Sequence, residues 1–363
     1  MPTVGTLIGG KYRLNTLVGV GGMGTVWAAT NTSIDQRVAI KLISSAYANS
    51  PEVRARFLTE ARAAAMLRSR YAVQIFDSGE TEDSTPFIVM ELLEGENLAE
   101  RLGNVGPVPL KEAVRIVQQV GKGLSKAHAL GIIHRDLKPE NVFLARSDDD
   151  EGYVAKILDF GIAKIAEARR DKISTGSGSV LGTPLFMSPE QMRGLTVDHR
   201  SDLYSLGMVT FNMLTGRTAL SAEEFGDIVL ETWTQPLVDV QRVAPWIPKA
   251  IDAWVKRACA RDPGDRFQTA DEMMAAFAEA ARPRSASPHE VRPQQIGQPA
   301  ERTEPVVAQP ADSLAPRVSR STVIRIGTMR FERRSFVAGA VAGALCMLVL
   351  LGLVAVLVGV LSP

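Results

Sequence analysis

Cysteine and histidine are scarce in this chain of 363 residues. The two cysteines, Cys259 and Cys346, lie far apart, and the four histidines are scattered along the sequence. Disulfide scaffolds and structural zinc sites need several such residues at characteristic spacings, so both are excluded. The low cysteine content fits a reducing compartment.

A net charge of either sign is also lacking. The 41 basic and 40 acidic residues leave a formal charge of +1, so we predict no nucleic-acid partner. The distribution is uneven, however, because residues 282–335 contain ten arginines, no lysine and five acidic residues. That segment has a net charge of +5, which leaves −4 for residues 1–281.

Charged residues are absent from residues 336–361. As a helix, this stretch would be about 39 Å long, enough to cross a hydrocarbon layer of about 30 Å. We predict a single transmembrane helix; the alternative is a buried core helix, but such helices are usually shorter. Arg325, Arg330, Arg333 and Arg334 precede the segment and no charge follows it. The positive-inside rule therefore predicts a cytoplasmic location for everything before it, with no sizeable domain beyond.

Small residues form one face of the predicted span. Gly339 and Gly343, with Ala338 and Ala342, show the small-xxx-small pattern that lets two membrane helices approach closely. Glycine and alanine are also common in any membrane helix. Homodimerisation through this face and a span without a partner are both left open.

Proline and arginine mark the segment before the span. Residues 282–335 contain seven prolines and show no apolar periodicity, so they cannot bury enough surface to offset the entropy of ordering. We predict a disordered juxtamembrane linker there. One globular domain is expected over residues 8–281.

Strand signals come first in that domain, and helical signals follow. A helix is predicted over residues 51–67, with Ser50 and Pro51 as start signals. Apolar residues at helical spacing predict another helix across residues 114–127. Short β-prone segments predict strands at residues 12–18, 25–30, 37–43 and 87–92. The pattern indicates an α+β fold with a mostly β small half followed by a mostly α large half.

A glycine-rich motif, G-x-G-x-x-G-x-V, occupies residues 19–26. Glycines let backbone N–H groups approach phosphate oxygens closely. A dinucleotide-binding fold would need a helix directly after the motif. Here Val26 begins a second strand instead, and V-A-I-K follows at residues 38–41. This context favours a phosphate-binding loop with a lysine, Lys41, on the third strand.

Three further motifs follow in order: H-R-D-L-K-P-E-N at residues 134–141, D-F-G at 159–161 and S-P-E at 188–190. Together the four motifs resemble the protein kinase superfamily over residues 12–280. The sequences of these motifs are most similar to those of the bacterial eukaryotic-like (Hanks-type) Ser/Thr protein kinases. The resemblance implies a bilobal fold with a β-rich N-lobe with one main helix, about residues 8–93, and a large α-helical C-lobe, about residues 94–281.

The resemblance implies ATP as the phosphate donor and Mg²⁺ as the metal ion. Asp136 is implied to orient the substrate hydroxyl and accept its proton, with Lys138 near the transferred phosphate. Asn141 and Asp159 are implied to hold the metal.

Further nucleotide contacts are carried over from the family motifs. Lys41 is implied to bind the α- and β-phosphates and to be positioned by Glu60, with Glu52 as the weaker rival nearer the helix start. Met90 resembles the gatekeeper before a hinge that faces adenine. The implied nucleotide-binding residues are Gly19, Val20, Gly21, Gly22, Gly24, Val26, Ala39, Lys41, Glu60, Glu91, Leu93, Asn141 and Asp159.

The same resemblance extends to substrates and regulation. Residues 138–140 and 182–184 resemble the Ser/Thr-specific form, so the implied partners are proteins with Ser or Thr acceptors. Thr175 and Ser177 match the usual autophosphorylation positions; the alternative is a flexible polar loop. Other residues are implied to be structural: Asp202 as an anchor of the catalytic loop, Glu190 and Arg266 as a salt bridge, and His134 as a packing residue.

The sequence therefore predicts a membrane-tethered Ser/Thr protein kinase without an extracellular ligand-sensing domain. An alternative is a pseudokinase-like scaffold that binds nucleotide, but scaffolds of that kind usually lose one of the key residues. Lys41, Asp136, Asn141 and Asp159 are all present. A small-molecule kinase is disfavoured because residues 182–190 resemble a platform for a peptide substrate.

Overall fold

The computed structural model describes residues 2–21, 24–44, 48, 50–147, 152–160, 184–222, 224–234 and 239–282. These residues belong to one unit, Met1–His289. Several predictions lie outside the described residues: Gly22, the acceptor sites Thr175 and Ser177, the linker beyond residue 282 and the span at 336–361. Within the described ranges, no helix is both long and apolar enough to cross a bilayer.

An antiparallel sheet of six strands forms the first part of the chain. Its strands are β1 (Leu7–Ile8), β2 (Tyr12–Gly21), β3 (Gly24–Asn31), β4 (Gln36–Ile43), β5 (Ile75–Glu80) and β6 (Pro86–Glu91), in the order β1-β2-β3-β4-β6-β5. The four strands predicted from the sequence correspond to β2, β3, β4 and β6. Strand β4 lies inside the sheet between β3 and β6, and its residues from Val38 to Ile43, including Lys41, are buried.

One helix, α1 (Pro51–Ala65), packs against this sheet. Its start is the predicted one: the Ser50 side chain accepts a hydrogen bond from the backbone N–H of Val53, and Pro51 occupies the first turn. The buried face includes Phe57 and Ala61, which pack with Ile88 of β6. Burying these apolar groups stabilises the helix on the sheet and positions α1 beside β4 and β6.

Helices dominate the second part. The elements are β7 (Gly95–Asn97), α2 (Leu98–Val105), α3 (Leu110–Ala129), β8 (Val142–Ser147), β9 (Gly152–Ile157), α4 (Pro189–Met192), α5 (Arg200–Thr215), α6 (Phe225–Thr234), α7 (Val240–Val243), α8 (Lys249–Ala258) and α9 (Ala270–Ala280). Helix α3 covers the predicted apolar stripe, with Val117, Val120 and Leu124 fully buried. Helix α5 is buried on nearly all sides and forms the centre of this core. The predicted α+β, bilobal fold is confirmed.

The helical part also contains a small sheet of three strands in the order β7-β8-β9. Strands β8 and β9 pair in antiparallel fashion, and Ile157 at the end of β9 forms a parallel bridge with Ala72. The H-R-D-L-K-P-E-N motif at residues 134–141, the catalytic loop, comes just before β8, and the D-F-G motif comes just after β9. The pairing of these two strands therefore brings the two motifs together in space.

Candidate active site

The glycine-rich loop joins β2 to β3, and its glycines differ in their surroundings. An added Cβ atom at Gly19 would meet nothing within 4 Å, and at Gly21 the nearest atom, the Gly24 carbonyl oxygen, is 3.9 Å away. These two positions leave room for a ligand close to the backbone. Gly24 has φ +152°, and a Cβ there would lie 1.9 Å from the Leu42 carbonyl oxygen. Glycine at this position is therefore required by the approach of β4, whatever its role toward a nucleotide.

Side chains assigned to the nucleotide share one face of the sheet. Val26 and Lys41 are directly opposite each other on β3 and β4, and Ala39 lies two residues before Lys41. Because opposite residues share a face and side chains alternate along a strand, all three point the same way. Val20 is exposed at the end of β2. The sheet thus presents an apolar surface next to one buried lysine.

Lys41 forms an ion pair with Asp159. The Nζ atom of Lys41 lies 2.8 Å from Oδ1 of Asp159, and the lysine is buried. Burial alone would raise the pKa of Asp159, but the charge and hydrogen bond of Lys41 outweigh it and hold the pKa below its ordinary value. Asp159 also has φ +55°, a conformation that costs free energy for a residue with a side chain. The site therefore holds a charged carboxylate in a fixed direction.

Helix α1 lies next to the Lys41–Asp159 ion pair. A small cavity of about 20 Å³ lies behind Lys41 and is lined by Lys41, Ala61, Ala64, Val73, Ile75, Ile88, Met90, Asp159 and Phe160. Glu60 directly precedes Ala61 and is half-buried, whereas its rival Glu52 is exposed in the first turn. Ala61 and Ala64 of α1 thus line the site, and an ion pair between Glu60 and Lys41 stays a prediction.

The catalytic loop is anchored on a buried carboxylate, as predicted. Asp202 on α5 accepts hydrogen bonds from the backbone N–H groups of His134, at 2.9 Å, and Arg135, at 2.8 Å. His128 Nε2 lies 2.7 Å from Oδ2 of the same carboxylate. Burial alone would raise the pKa of Asp202, but these hydrogen bonds, with that of His128 the largest, lower it below its ordinary value. Arg135, which has φ +67°, is held from the other side because its carbonyl accepts a bond of 2.6 Å from Gln191 Nε2.

Asp136, Lys138 and Asn141 form one cluster directly after that anchor. Lys138 Nζ lies 2.8 Å from Oδ2 of Asp136. Asn141 Nδ2 donates to the backbone carbonyl of Asp136 at 2.7 Å and to its Oδ2 at 3.1 Å. A 3-10 turn, Pro139–Asn141, brings the chain back to make these contacts. The Asp136 side chain remains 29% exposed, so a substrate hydroxyl can reach it.

The residues predicted to hold Mg²⁺ lie side by side. The backbone N–H of Leu158, which precedes Asp159, donates to the Asn141 carbonyl at 2.9 Å. Because Asn141 Nδ2 faces Asp136, its Oδ1 is the atom that can bind a cation. Among the described residues, no group of three or more His, Cys, Asp or Glu side chains forms a metal site. One carboxylate and one amide oxygen fit Mg²⁺ that keeps phosphate and water oxygens as its other ligands.

Strand β6 ends at the predicted hinge. Met90 is opposite Ala39, and Glu91 is opposite Val38 on β4. The Glu91 carboxylate has partners within the protein: Lys156 Nζ lies 2.7 Å and 2.8 Å from its two oxygens. Since this side chain is engaged, the backbone of Glu91 and of Leu93 is the part of the hinge that an adenine ring can use.

The predicted salt bridge of the large lobe is present and joins Glu190 of α4 to Arg266. Arg266, 1% exposed, donates from Nη1 and Nη2 to the two oxygens of Glu190, at 2.7 Å each. Burial alone would raise the pKa of Glu190, but the bonds from Arg266 outweigh it and lower the pKa. The role of His134 is also confirmed, because it is fully buried and packs edge-on against Phe160 at 5.0 Å.

Two residues of the site escaped the sequence analysis. Gln191, which holds the Arg135 carbonyl, follows the S-P-E motif directly, and that position was the only available signal. Lys156 is the one charged residue of β9, in the sequence G-Y-V-A-K-I. A buried lysine needs a partner, but the sequence shows neither that Lys156 is buried nor that Glu91 is its partner.

Comparisons with known proteins agree with this geometry. The protein kinase domain family matches residues 12–277. Serine/threonine-protein kinase pkn3 of Myxococcus xanthus is 38% identical over 275 residues, which cover 75% of this chain and 50% of that protein. PrkC of Bacillus subtilis is 38% identical over 272 residues, covering 75% of this chain and 41% of PrkC. The chain thus spans about half the length of the first of these relatives.

A solved structure is similar as well. A double mutant of the Mycobacterium tuberculosis PknI kinase domain superimposes with a TM-score of 0.63 at 25% identity, covering 78% of this chain and 100% of that domain. The same two-lobed arrangement is therefore found in a related bacterial protein. With the family match over residues 12–277 and the motifs placed as described above, the chain belongs to the protein kinase family.

Proposed function

We propose that this protein is a membrane-tethered serine/threonine protein kinase that transfers the γ-phosphate of ATP to Ser or Thr of protein substrates. The observation that supports this most is the geometry of its two charged centres. The Lys41–Asp159 pair and the Asp136–Lys138–Asn141 cluster are joined by the Leu158–Asn141 hydrogen bond. Phosphoryl transfer mainly requires alignment and neutralisation of charge, and these residues supply both.

At the proposed nucleotide site, the protein provides one positively charged side chain, Lys41, and one negatively charged side chain, Asp159. Lys41, buried on the sheet face, binds phosphate oxygens with its ammonium group. Asp159 is charged at neutral pH because its pKa is lowered, so its carboxylate and Asn141 Oδ1 are suited to hold Mg²⁺. When bound, that ion neutralises negative charge on the phosphate oxygens.

At the acceptor end, Asp136 accepts a hydrogen bond from the substrate hydroxyl. Its carboxylate takes the hydroxyl proton as the hydroxyl oxygen bonds to the γ-phosphorus. The bond between that phosphorus and the bridging oxygen breaks, and ADP leaves with the electron pair. Lys138, 2.8 Å from Asp136, orients the carboxylate and places a positive charge near the phosphoryl group in transfer.

Membrane attachment is part of the proposal and rests on residues 336–361. The arginines before this segment support a cytoplasmic kinase domain. We expect the full-length chain to stay in the membrane fraction after an alkaline wash and a chain ending at residue 289 to be released. Release of both chains would contradict the tether, whereas retention of both would indicate a second membrane contact.

Autophosphorylation of Thr175 and Ser177 is the proposed route of activation. Arg135 lies directly before Asp136. A phosphate on Thr175 or Ser177 would form charge-assisted hydrogen bonds with the Arg135 guanidinium. Such a pairing would neutralise the cation next to Asp136.

A transfer assay tests the proposal. The full-length chain in detergent is incubated with MgATP and a basic acceptor protein, and phosphorylated residues are mapped by mass spectrometry. Asp136→Asn serves as the inactive variant. Asp271→Asn, which changes an exposed carboxylate bonded to Ser125 far from the site in sequence, is the matched control.

We expect phosphate on Ser and Thr with the wild-type chain and the control, and none with Asp136→Asn. Labelling of Thr175 or Ser177 in the active chains alone would support autoactivation. A folded wild-type chain that binds ATP without any transfer would contradict the proposal and favour the scaffold alternative.

A further inference from the structure

Lys156 and Glu91 form an ion pair behind the hinge. Both side chains are mostly buried, with 16% and 23% of their surfaces exposed. The ammonium group contacts both carboxylate oxygens, at 2.7 Å and 2.8 Å. A third bond, 2.8 Å long, runs from the backbone N–H of Gln74 to Oε1 of Glu91. The carboxylate is therefore held from two directions.

The backbone connects the same two elements. Ile157 at the end of β9 donates to the Tyr71 carbonyl at 2.9 Å and accepts from the N–H of Val73 at 2.9 Å. One residue further on, the Gln74 carbonyl accepts a bond of 3.0 Å from the N–H of Glu91. Residues 71–74 thus lie between β9 and the hinge, and Lys156, the neighbour of Ile157, spans the same gap with its side chain.

We propose that Lys156 is a positioning residue for nucleotide binding, acting through Glu91. Because this inference rests on the proposed function, the nucleotide concerned is ATP. The ion pair fixes the direction of the Glu91 side chain, and this in turn fixes the peptide groups at residues 91–93 that face adenine. Without the lysine, a buried carboxylate would lose its counter-charge and would turn toward water, moving the hinge backbone with it.

The position of Lys156 along β9 makes its effect selective. Asp159 follows three residues later and forms its own pair with Lys41, and the catalytic loop is anchored separately on Asp202. Loss of Lys156 should therefore weaken the binding of the adenine end while leaving the reacting end in place. In kinetic terms, the KM for ATP should rise while kcat stays nearly constant, as for an interaction of equal strength in the ground and transition states.

Four variants of the full-length chain in detergent test this. Lys156→Met removes the charge and keeps most of the stem, and Glu91→Gln removes the opposite charge while keeping an acceptor for Gln74. The double variant Lys156→Met/Glu91→Gln removes both charges and still leaves an acceptor for the Gln74 N–H. Lys256→Met is the matched control, because it breaks a Lys–Asp pair of the same 2.7 Å length with Asp252, where Lys256 is 43% exposed.

Two measurements are made on each variant: calorimetric binding of a non-hydrolysable ATP analogue, and KM for ATP with kcat in the transfer assay. For Lys156→Met we expect Kd and KM to rise about tenfold, equivalent to about 1.4 kcal/mol, with kcat within about twofold of wild type. Glu91→Gln should move Kd in the same direction. The double variant should lose no more affinity than Lys156→Met alone, because the single substitution already breaks the pair, and the control should bind like wild type.

A Kd within twofold of wild type in folded Lys156→Met would overturn the proposal, as would losses of the two single variants that add up in the double variant. If Lys156→Met does not fold, Glu91→Gln decides by the same criterion. A wild-type chain that binds the analogue but transfers no phosphate contradicts the proposed function alone, since the binding comparison still decides on Lys156. A wild-type chain that binds no analogue refutes both.

Discussion

The substitution Asp202→Asn changes the anchor of the catalytic loop with little change of shape. In the wild-type chain the two carboxylate oxygens accept from three donors: the N–H groups of His134 and Arg135 and the Nε2 atom of His128. Asparagine has a single carbonyl oxygen, and its NH₂ group must face at least one of these donors. The variant therefore loses a charged acceptor and buries at least one donor without a partner.

The expected loss of stability follows from those bonds. A hydrogen bond to a charged group contributes about 1.5–3 kcal/mol, and a buried donor left unsatisfied costs about 1–3 kcal/mol. The variant should thus lose about 4 kcal/mol in the free energy of unfolding, or about 8–16 °C in Tm at about 2–4 °C per kcal/mol. The folded pKa of Asp202 is below 3.8, so its contribution is present above that value. The contribution disappears as pH falls through the folded pKa.

The effect on activity should exceed the effect on ATP binding. Arg135 is held at φ +67°, a strained conformation that relaxes when its N–H loses the Asp202 carboxylate. Asp136 follows directly, and a displacement of about 1 Å at a catalytic group lowers the rate about a hundredfold. Because Lys41 and Glu91 lie on other elements, the KM for ATP should stay within about threefold of wild type.

The assay measures kcat and KM for ATP at a temperature where circular dichroism shows the variant to be folded. Urea unfolding, monitored by the fluorescence of buried Trp254, gives the change in stability. Asp271→Asn, at an exposed hydrogen bond with Ser125, controls for loss of a carboxylate and should retain wild-type values. A folded Asp202→Asn chain with kcat within threefold of wild type would refute the reasoning.

Three more substitutions probe other parts of the domain. Arg266→Met leaves Glu190 buried without its cation and should cost about 3–5 kcal/mol in urea unfolding; a loss below 1 kcal/mol, the usual value of an exposed pair, would contradict this. Because Arg266 holds the pKa of Glu190 below 4.5, stability from this pair is complete above pH 4.5 and is lost as pH falls through the folded pKa. Gly24→Ala places a Cβ against a carbonyl of the neighbouring strand, so we expect a lower Tm by calorimetry, and an unchanged Tm would show that the strands can separate freely. Lys41→Met removes the cation that offsets the burial of Asp159, and transfer should fall below detection while circular dichroism stays native; retained turnover would remove Lys41 from its assigned role.

Several features of the site were accessible from sequence because their chemistry restricts residue type and spacing. Lys41, Asp136, Asn141 and Asp159 sit in motifs whose order along the chain predicted one nucleotide site. The distances between them show that these residues lie together, and their roles toward a nucleotide stay predictions. The start of helix α1 at Ser50 was also predictable, since capping is a local interaction between neighbouring residues.

Other features depend on contacts between residues distant in sequence. The pairing of Lys156 with Glu91 crosses 65 residues, and the bond from Gln191 to the Arg135 carbonyl crosses 56. Neither has a local pattern. The sequence assigned Gly24 to phosphate binding, and the structure adds a separate reason for glycine there, the close approach of the Leu42 backbone on β4. Strand pairing has to be known before such an approach can be recognised.

The sequence by itself determined the family, the fold class, four of the six strands of the first sheet and the residue types that phosphoryl transfer uses. It could do so because hydrophobic periodicity and capping are local, and because motif spacing reflects chemistry common to the family. Only the tertiary structure decided that Lys41 faces Asp159 and that Lys156 faces Glu91. A buried charge needs a partner, but burial, and therefore the choice of partner, exists only once distant elements have packed together.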